Sequence, residues 1–147
     1  AIFFLLTPFK QVSAFNNNNE KLSHEVVYYE NGKIKEEKYF KNGEKHGTWM
    51  MYYENGSKKM EQSYSDGQSV GKWLHWYDNG QKSYVLTFKN GKIDGKWTEW
   101  YENGEKWHIV NYKNGDVNGK WTFFDPSGNL KAEGAYLTEG LFHKLKM

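Results

Sequence analysis

The side chains able to do chemistry in this chain are scattered, and their spacing argues against an enzyme. The five histidines are His24, His46, His75, His108 and His143, and no two stand at metal-ligand spacing. His75 lies between Trp73 and Trp76, at a place held elsewhere in the chain by Met51, Glu99 and Phe123, so it reads as a packed or surface imidazole. His108, with Met60 and Tyr84 as counterparts, reads the same way. Glu30, Glu54, Asp78 and Glu102 recur before Asn-Gly pairs. Such a row would suit a hard cation such as calcium, but turn solubility explains it with less. Lys35, Lys59 and Lys131 form a row suited to lipid phosphate, broken by Ser83 and Trp107; the favoured reading is a solvated face. Cysteine is absent, which removes disulfides, thiolate metal sites and cysteine nucleophiles. No glycine-rich loop leads into a helix that could cradle phosphate. No catalytic residue, cofactor or metal is therefore assigned.

What remains is aromatic surface. Aromatic residues make up 18% of the 147, while mean hydropathy is −0.94, so burial must come mainly from Trp, Tyr and Phe. The formal charge is +2, and all 20 basic residues are lysines. Arginine, the side chain that clamps phosphates and guanine edges in bidentate fashion, is missing. With no basic stripe either, a nucleic-acid partner is disfavoured.

The elements that must position these residues follow from a 24-residue period. Gly32, Gly56, Gly80, Gly104 and Gly128 keep that spacing, as do Trp49, Trp73, Trp97 and Trp121. Phe40, Tyr64, Phe88, Tyr112 and Tyr136 form another series, and Gly47, Gly71, Gly95 and Gly119 precede the tryptophans by two residues. Asn-Gly or Asp-Gly pairs fall about every 12 residues, as at Asn31-Gly32 and Asn42-Gly43. These dipeptides accept positive φ at both centres of a type I′ turn. Strands of five to eight residues fit between the turns and helices do not, which predicts an all-β, elongated antiparallel meander.

Because the period is even, equivalent residues keep their face. Trp97, Glu99 and Tyr101 fall on one side, and Thr98 and Trp100 on the other. The return strand is expected to alternate Lys82, Tyr84, Leu86 and Phe88 against Ser83, Val85 and Thr87. Trp97 should lie between Trp73 and Trp121 in an indole ladder, with the glycine before each indole leaving room for the neighbouring ring. Tyr52, Trp76, Trp100 and Phe124 form a second row on the opposite face. One ladder can serve as core. The second is the candidate partner-binding surface, unless its rings only shield one another and the thin sheet.

The run Tyr53-Glu54-Asn55-Gly56, the later Tyr64 and Asp66-Gly67, and Gly71-Lys72-Trp73 with Trp76-Tyr77 resemble the MORN repeat. The likeness is greatest to its bacterial variant, seen in proteins labelled YwqK-family antitoxins, and it extends over residues 28–136 in register. It implies a single-layer, open and twisted sheet of stacked β-hairpins with a concave aromatic surface for association with partners or with a second copy. It also implies a link with anionic lipids in some members. Asp125-Pro126-Ser127-Gly128 departs from the Tyr-Glu-Asn-Gly pattern and reads as a capping unit.

Residues 1–14 read as the back half of a secretory signal peptide: Ile2, Phe3, Phe4, Leu5 and Leu6 are apolar, and Val12-Ser13-Ala14 offers a cleavage pattern. An apolar segment docked on the sheet or set in a membrane is the alternative; it is too short to span a bilayer by itself. Residues 15–27 form a polar lead-in, 28–136 the repeats and 137–147 a cap or tail. Leu141, Phe142 and Leu145 have helix-like spacing that would cover the last strand edge. The expected protein is secreted or in the cell envelope, non-catalytic, and engaged with a protein partner or with itself. Competing readings are a carbohydrate-binding module, with Trp76 and Trp100 stacking on sugars, and an anionic-lipid binder acting through lysines. A membrane surface is the less favoured partner, and salt, which screens lysine contacts more than aromatic docking, separates the readings.

Overall fold

The computed structural model of the chain describes residues 9–136 and 142–146. Every element it holds is a strand. β1 (Phe9–Phe15), β2 (Lys21–Tyr28) and β3 (Ile34–Lys41) lead into the short β4 (Glu44–Lys45) and β5 (Gly47–Tyr52). β6 (Lys58–Ser65), β7 (Gln68–Trp76), β8 (Lys82–Lys89), the short β9 (Lys92–Ile93) and β10 (Gly95–Trp100) follow. β11 (Lys106–Lys113), β12 (Asp116–Phe124), β13 (Leu130–Tyr136) and β14 (Phe142–Lys146) complete the order. All lie in one antiparallel sheet in which each long strand pairs with the next in sequence. β1 and β14 stand at opposite ends, so the sheet is open, and its strand order is the antiparallel meander that the turn spacing predicts. Phe142–Lys146 pairs along β13 as a strand, and no helix forms there despite the spacing of Phe142 and Leu145; Leu141 and the rest of 137–141 lie outside the described residues. So does the apolar run Ile2–Leu6.

Two kinds of turn alternate. Asn42-Gly43, Asp66-Gly67, Asn90-Gly91 and Asn114-Gly115 have positive φ at both residues, 51° and 74° in the third case, as a type I′ turn requires. The other series was expected to do the same and does not. At Asn31, Asn55, Asn79 and Asn103 only the following glycine is left-handed. There the chain closes a wider loop: the Tyr77 N–H donates to the Gln81 carbonyl at 2.8 Å and the Gly80 N–H to the Tyr77 carbonyl at 3.0 Å. The asparagine acts through its side chain, with Asn79 Oδ1 accepting the Gln81 N–H at 2.9 Å. Asn16–Glu20 makes the same loop between β1 and β2, with Asn19 at φ 59° in the glycine's place.

A register shift recurs once per unit where a strand meets this wider loop, between His75 and Trp76 and between Glu99 and Trp100. Each shift inserts an extra residue, Ser83 in the first case, and so moves the lysine before it across the sheet. Lys82 therefore opposes Trp76, and does not continue the Tyr84, Leu86, Phe88 face as alternation alone suggests.

The core is thin. Trp49, Tyr64, Leu86 and Val110 are 7–9% exposed on one face, and Val26 and Thr98 are comparably covered on the other. A one-layer sheet cannot do better, because each face has only its own side chains for cover.

Candidate functional site

The indole face carries the ladder, but not as tryptophan upon tryptophan. The rings of the return strands are interposed: Phe40 to Trp49 is 5.2 Å, Trp49 to Tyr64 5.2 Å, Tyr64 to Trp73 5.3 Å and Trp73 to Phe88 4.5 Å between centroids. Trp97 continues the pattern against Tyr112 at 5.8 Å. Tilted and edge-on rings at such distances attract through their quadrupoles. Lys45 Nζ sits over both Trp49 and Tyr64, at 4.4 and 4.8 Å. The glycines before the indoles are not making space for rings. A side chain at Gly95 would meet only Thr87 Cβ at 3.9 Å, and the backbone φ of +112° is what demands glycine. Ring room matters elsewhere, at Gly134, where an added Cβ would lie 2.5 Å from Trp121 Cζ2.

Beside the ladder runs a row of directly opposed residues: Met51, Met60, His75, Tyr84, Glu99, His108 and Phe123. His75 stacks on Tyr84 at 5.1 Å and 7°. Burial lowers the His75 pKa, with Lys59 adding to the effect, and burial likewise lowers that of His108. Burial raises the Glu99 and Tyr84 pKa values. The contact from His108 Nδ1 to Glu99 Oε2, 3.6 Å, is too long for a hydrogen bond. Among the described residues no three His, Asp or Glu converge on a cation position, and the Glu30, Glu54, Asp78, Glu102 row builds no cage.

A second series on this side clasps unit to unit. Tyr29 Oη donates to the Tyr52 carbonyl at 2.6 Å, Tyr53 to Trp76 at 2.7 Å, Tyr77 to Trp100 at 2.8 Å and Tyr101 to Phe124 at 3.0 Å. Asn79 and Asn103 reach in the same direction, to the Glu102 and Pro126 carbonyls at 2.8 and 2.7 Å. Sequence reasoning missed this role, although the tyrosines keep the same 24-residue recurrence that exposed the turns.

The acceptor carbonyls belong to Tyr52, Trp76, Trp100 and Phe124, whose side chains form the expected row on the opposite face. All four are half-buried. Tyr52 Oη donates to Glu37 Oε2 at 3.0 Å, which fixes that ring; burial, with this bond second, raises its pKa. Lys58 Nζ lies 5.7 Å from the Trp76 ring centroid and 3.2 Å from Glu61 Oε2. Trp100 and Phe124, with Lys106 and Glu105, line an open cleft of about 250 Å³. The register shifts set Lys58, Lys82 and Lys106 opposite Tyr52, Trp76 and Trp100. This lysine series went unread because alternation assigned Lys82 to the wrong side; its 24-residue spacing is the signal that finds it. A separate apolar cleft of about 630 Å³ lies at the first strands, lined in part by Val12, Leu22, Tyr39 and Gly47.

The fold and these recurring contacts define a tandem β-hairpin repeat protein. A family model described as MORN repeat variant matches residues 24–42, 45–66, 69–90, 93–114 and 117–137, more than half of the chain, and the protein belongs to that family. Repeats of this kind generally serve as binding or scaffolding modules toward proteins or membranes. No curated protein matches the chain.

Proposed function

We propose that this chain is a non-catalytic interaction module that docks a protein partner, or a second copy, on the row Tyr52, Trp76, Trp100 and Phe124. The observation that carries the reading is the division of labour between the faces. On the indole face the rings from Phe40 to Phe88 contact one another in series, and a cleft opens at its last units beside Tyr112, Trp121 and Phe123, whereas on the opposite face Trp100 and Phe124 open onto a cleft within the row itself. Half-buried aromatics set in a rigid sheet supply contact area at little cost in side-chain entropy. We further place the protein outside the cytoplasm, on the strength of Ile2–Leu6 and the Val12-Ser13-Ala14 pattern. Cleavage after Ala14 would remove nearly all of β1 and leave β2 as the sheet edge. N-terminal sequencing of the native protein tests this, and a mature chain beginning upstream of Ala14 overturns it.

Docking is tested by affinity capture from the native source with the wild-type chain, with Trp76→Ala/Trp100→Ala, and with Trp97→Ala. The paired substitution should abolish capture while leaving thermal unfolding cooperative. Trp97→Ala should cost stability, about 3 kcal/mol, and retain capture at temperatures where it is folded. Capture that survives loss of Trp76 and Trp100, or a preference for polysaccharide or anionic vesicles over protein, overturns the proposal.

A further inference from the structure

The docking row has a fixed pitch, and the pitch selects a partner conformation. Equivalent residues of successive units lie two strands apart, about 9.6 Å at about 4.8 Å per strand. A polyproline II helix advances about 9.3 Å in its three-residue turn and returns one side chain in every three to the same side. Over the step from Lys82 to Lys106 the mismatch is about 0.3 Å. A β-strand presents same-side residues about 6.6 Å apart and falls out of step within one unit. An α-helix brings a face back after about 10.5 Å and drifts about 1 Å per unit.

The chemistry of the row matches as well as its spacing. Trp76 and Trp100 offer flat, half-buried rings, the surface on which proline-rich helices dock. Polyproline II has no internal hydrogen bonds, so its carbonyls are free to accept from lysine ammonium groups. Lys82 and Lys106 are exposed and have no ion-pair partner among the described residues. The strand residues that share their face from Lys72 to Asn111 include Lys96 and no carboxylate, since Glu99 pairs with His108 on the other side; one strand earlier Glu61, opposite Leu74, lies on this face and engages Lys58. The acids at this end of the strands, Asp78, Glu102 and Glu105, belong to the turns.

Resting on the protein-docking reading of the same row, we propose that this face binds a partner segment in the polyproline II conformation with a carboxylate at every third residue. The segment lies across the strands along the sheet's long axis. Its acidic column meets Lys82 and Lys106, and the prolines between successive acids meet the rings of Trp76 and Trp100, which alternate with the lysines across the paired strands. The right-handed twist of the sheet rotates successive units, so the register is held over neighbouring units and not over the whole length.

Isothermal titration of the full chain with a capped peptide of repeated Pro-Pro-Glu triplets tests this. Controls are repeated Pro-Pro-Lys, which keeps the conformation and reverses the charge, and repeated Gly-Ser-Glu, which keeps the charge and loses the conformation. The Pro-Pro-Glu peptide should bind saturably with one peptide per chain. Gly-Ser-Glu should bind about tenfold more weakly, because it must be ordered on binding. Pro-Pro-Lys should not bind. Lys82→Gln/Lys106→Gln, with an unchanged circular dichroism spectrum, should weaken Pro-Pro-Glu binding about tenfold. Absence of saturable binding, equal affinity for Gly-Ser-Glu, or indifference to the lysine pair overturns the proposal. If aromatic-dependent capture succeeds but the captured segment lacks the Pro and acid spacing, this inference fails while the docking reading stands. If capture ignores Trp76 and Trp100, the docking reading fails first.

Discussion

At Gly134 an added methyl group would lie 2.5 Å from Cζ2 and 2.7 Å from Cε2 of Trp121, closer than packed atoms tolerate. In the preceding units this position is Leu86 or Val110, opposite Trp73 or Trp97. The last indole thus lies over bare backbone. Gly134→Ala should destabilise the protein by about 1–3 kcal/mol, read as a lower urea midpoint at unchanged slope; wild-type stability would mean that the indole moves aside freely. The half-buried imidazoles bear on pH. Because the folded pKa values of His75 and His108 lie below the ordinary 6.5, their contribution is fully present above that value and is lost as pH falls through the lowered values. Thermal stability should therefore decline on acidification from neutrality, with Lys59, Tyr84 and Glu99 as the neighbouring groups. Glu99 acts in the opposite sense, its contribution lost as pH rises through its raised pKa. Replacing both imidazoles by the side chains of equivalent positions, His75→Met and His108→Tyr, should flatten the decline between neutrality and mild acid. A decline unchanged in that variant would assign the effect to other groups.

Among the elements, two turns with the same dipeptide obey different physics, and the difference is testable. Asn90 sits at φ 51°, so its backbone conformation is what the type I′ turn needs, and Asn90→Gly should be nearly neutral. Asn79 works through its amide, bonded to the Gln81 N–H and the Glu102 carbonyl. Asn79→Gly should cost about 1–2 kcal/mol by chemical denaturation; equal costs at the two sites would refute the distinction. This marks how far the sequence could be read. Asn-Gly every half period announces hairpins, but the dipeptide alone does not tell a two-residue loop from a five-residue one, because the length is set by where the flanking strands begin to pair. The extra residue Ser83 is equally silent, since nothing in its chemistry marks a bulge; hence alternation carried Lys82 to the wrong face. The row Tyr52, Trp76, Trp100 and Phe124 could be placed because those residues precede the shift.

For the whole molecule, stability should be a sum over units and their junctions. Excising 69–92, one full period, rejoins equivalent positions and should yield a shorter sheet that still unfolds cooperatively at a lower melting temperature. A chain that fails to fold would mean that distant units depend on one another. The architecture was legible at this scale because every repeat copies the same statement of strand, turn and face. The partner was not, because a periodic surface specifies a pitch and a chemistry before it specifies a molecule.

The phenol clasps all point one way along the chain. Each unit grips its successor, from Tyr29 to Tyr101, and at the next equivalent position stands Asp125, whose carboxylate turns inward to accept the Ser127 and Asn129 N–H groups at 3.0 and 2.9 Å. A tyrosine there would hold out a hydroxyl for a following hairpin. The aspartate instead folds its carboxylate back into its own loop, so the hold that each unit keeps on the next passes from phenol to carboxylate within one turn.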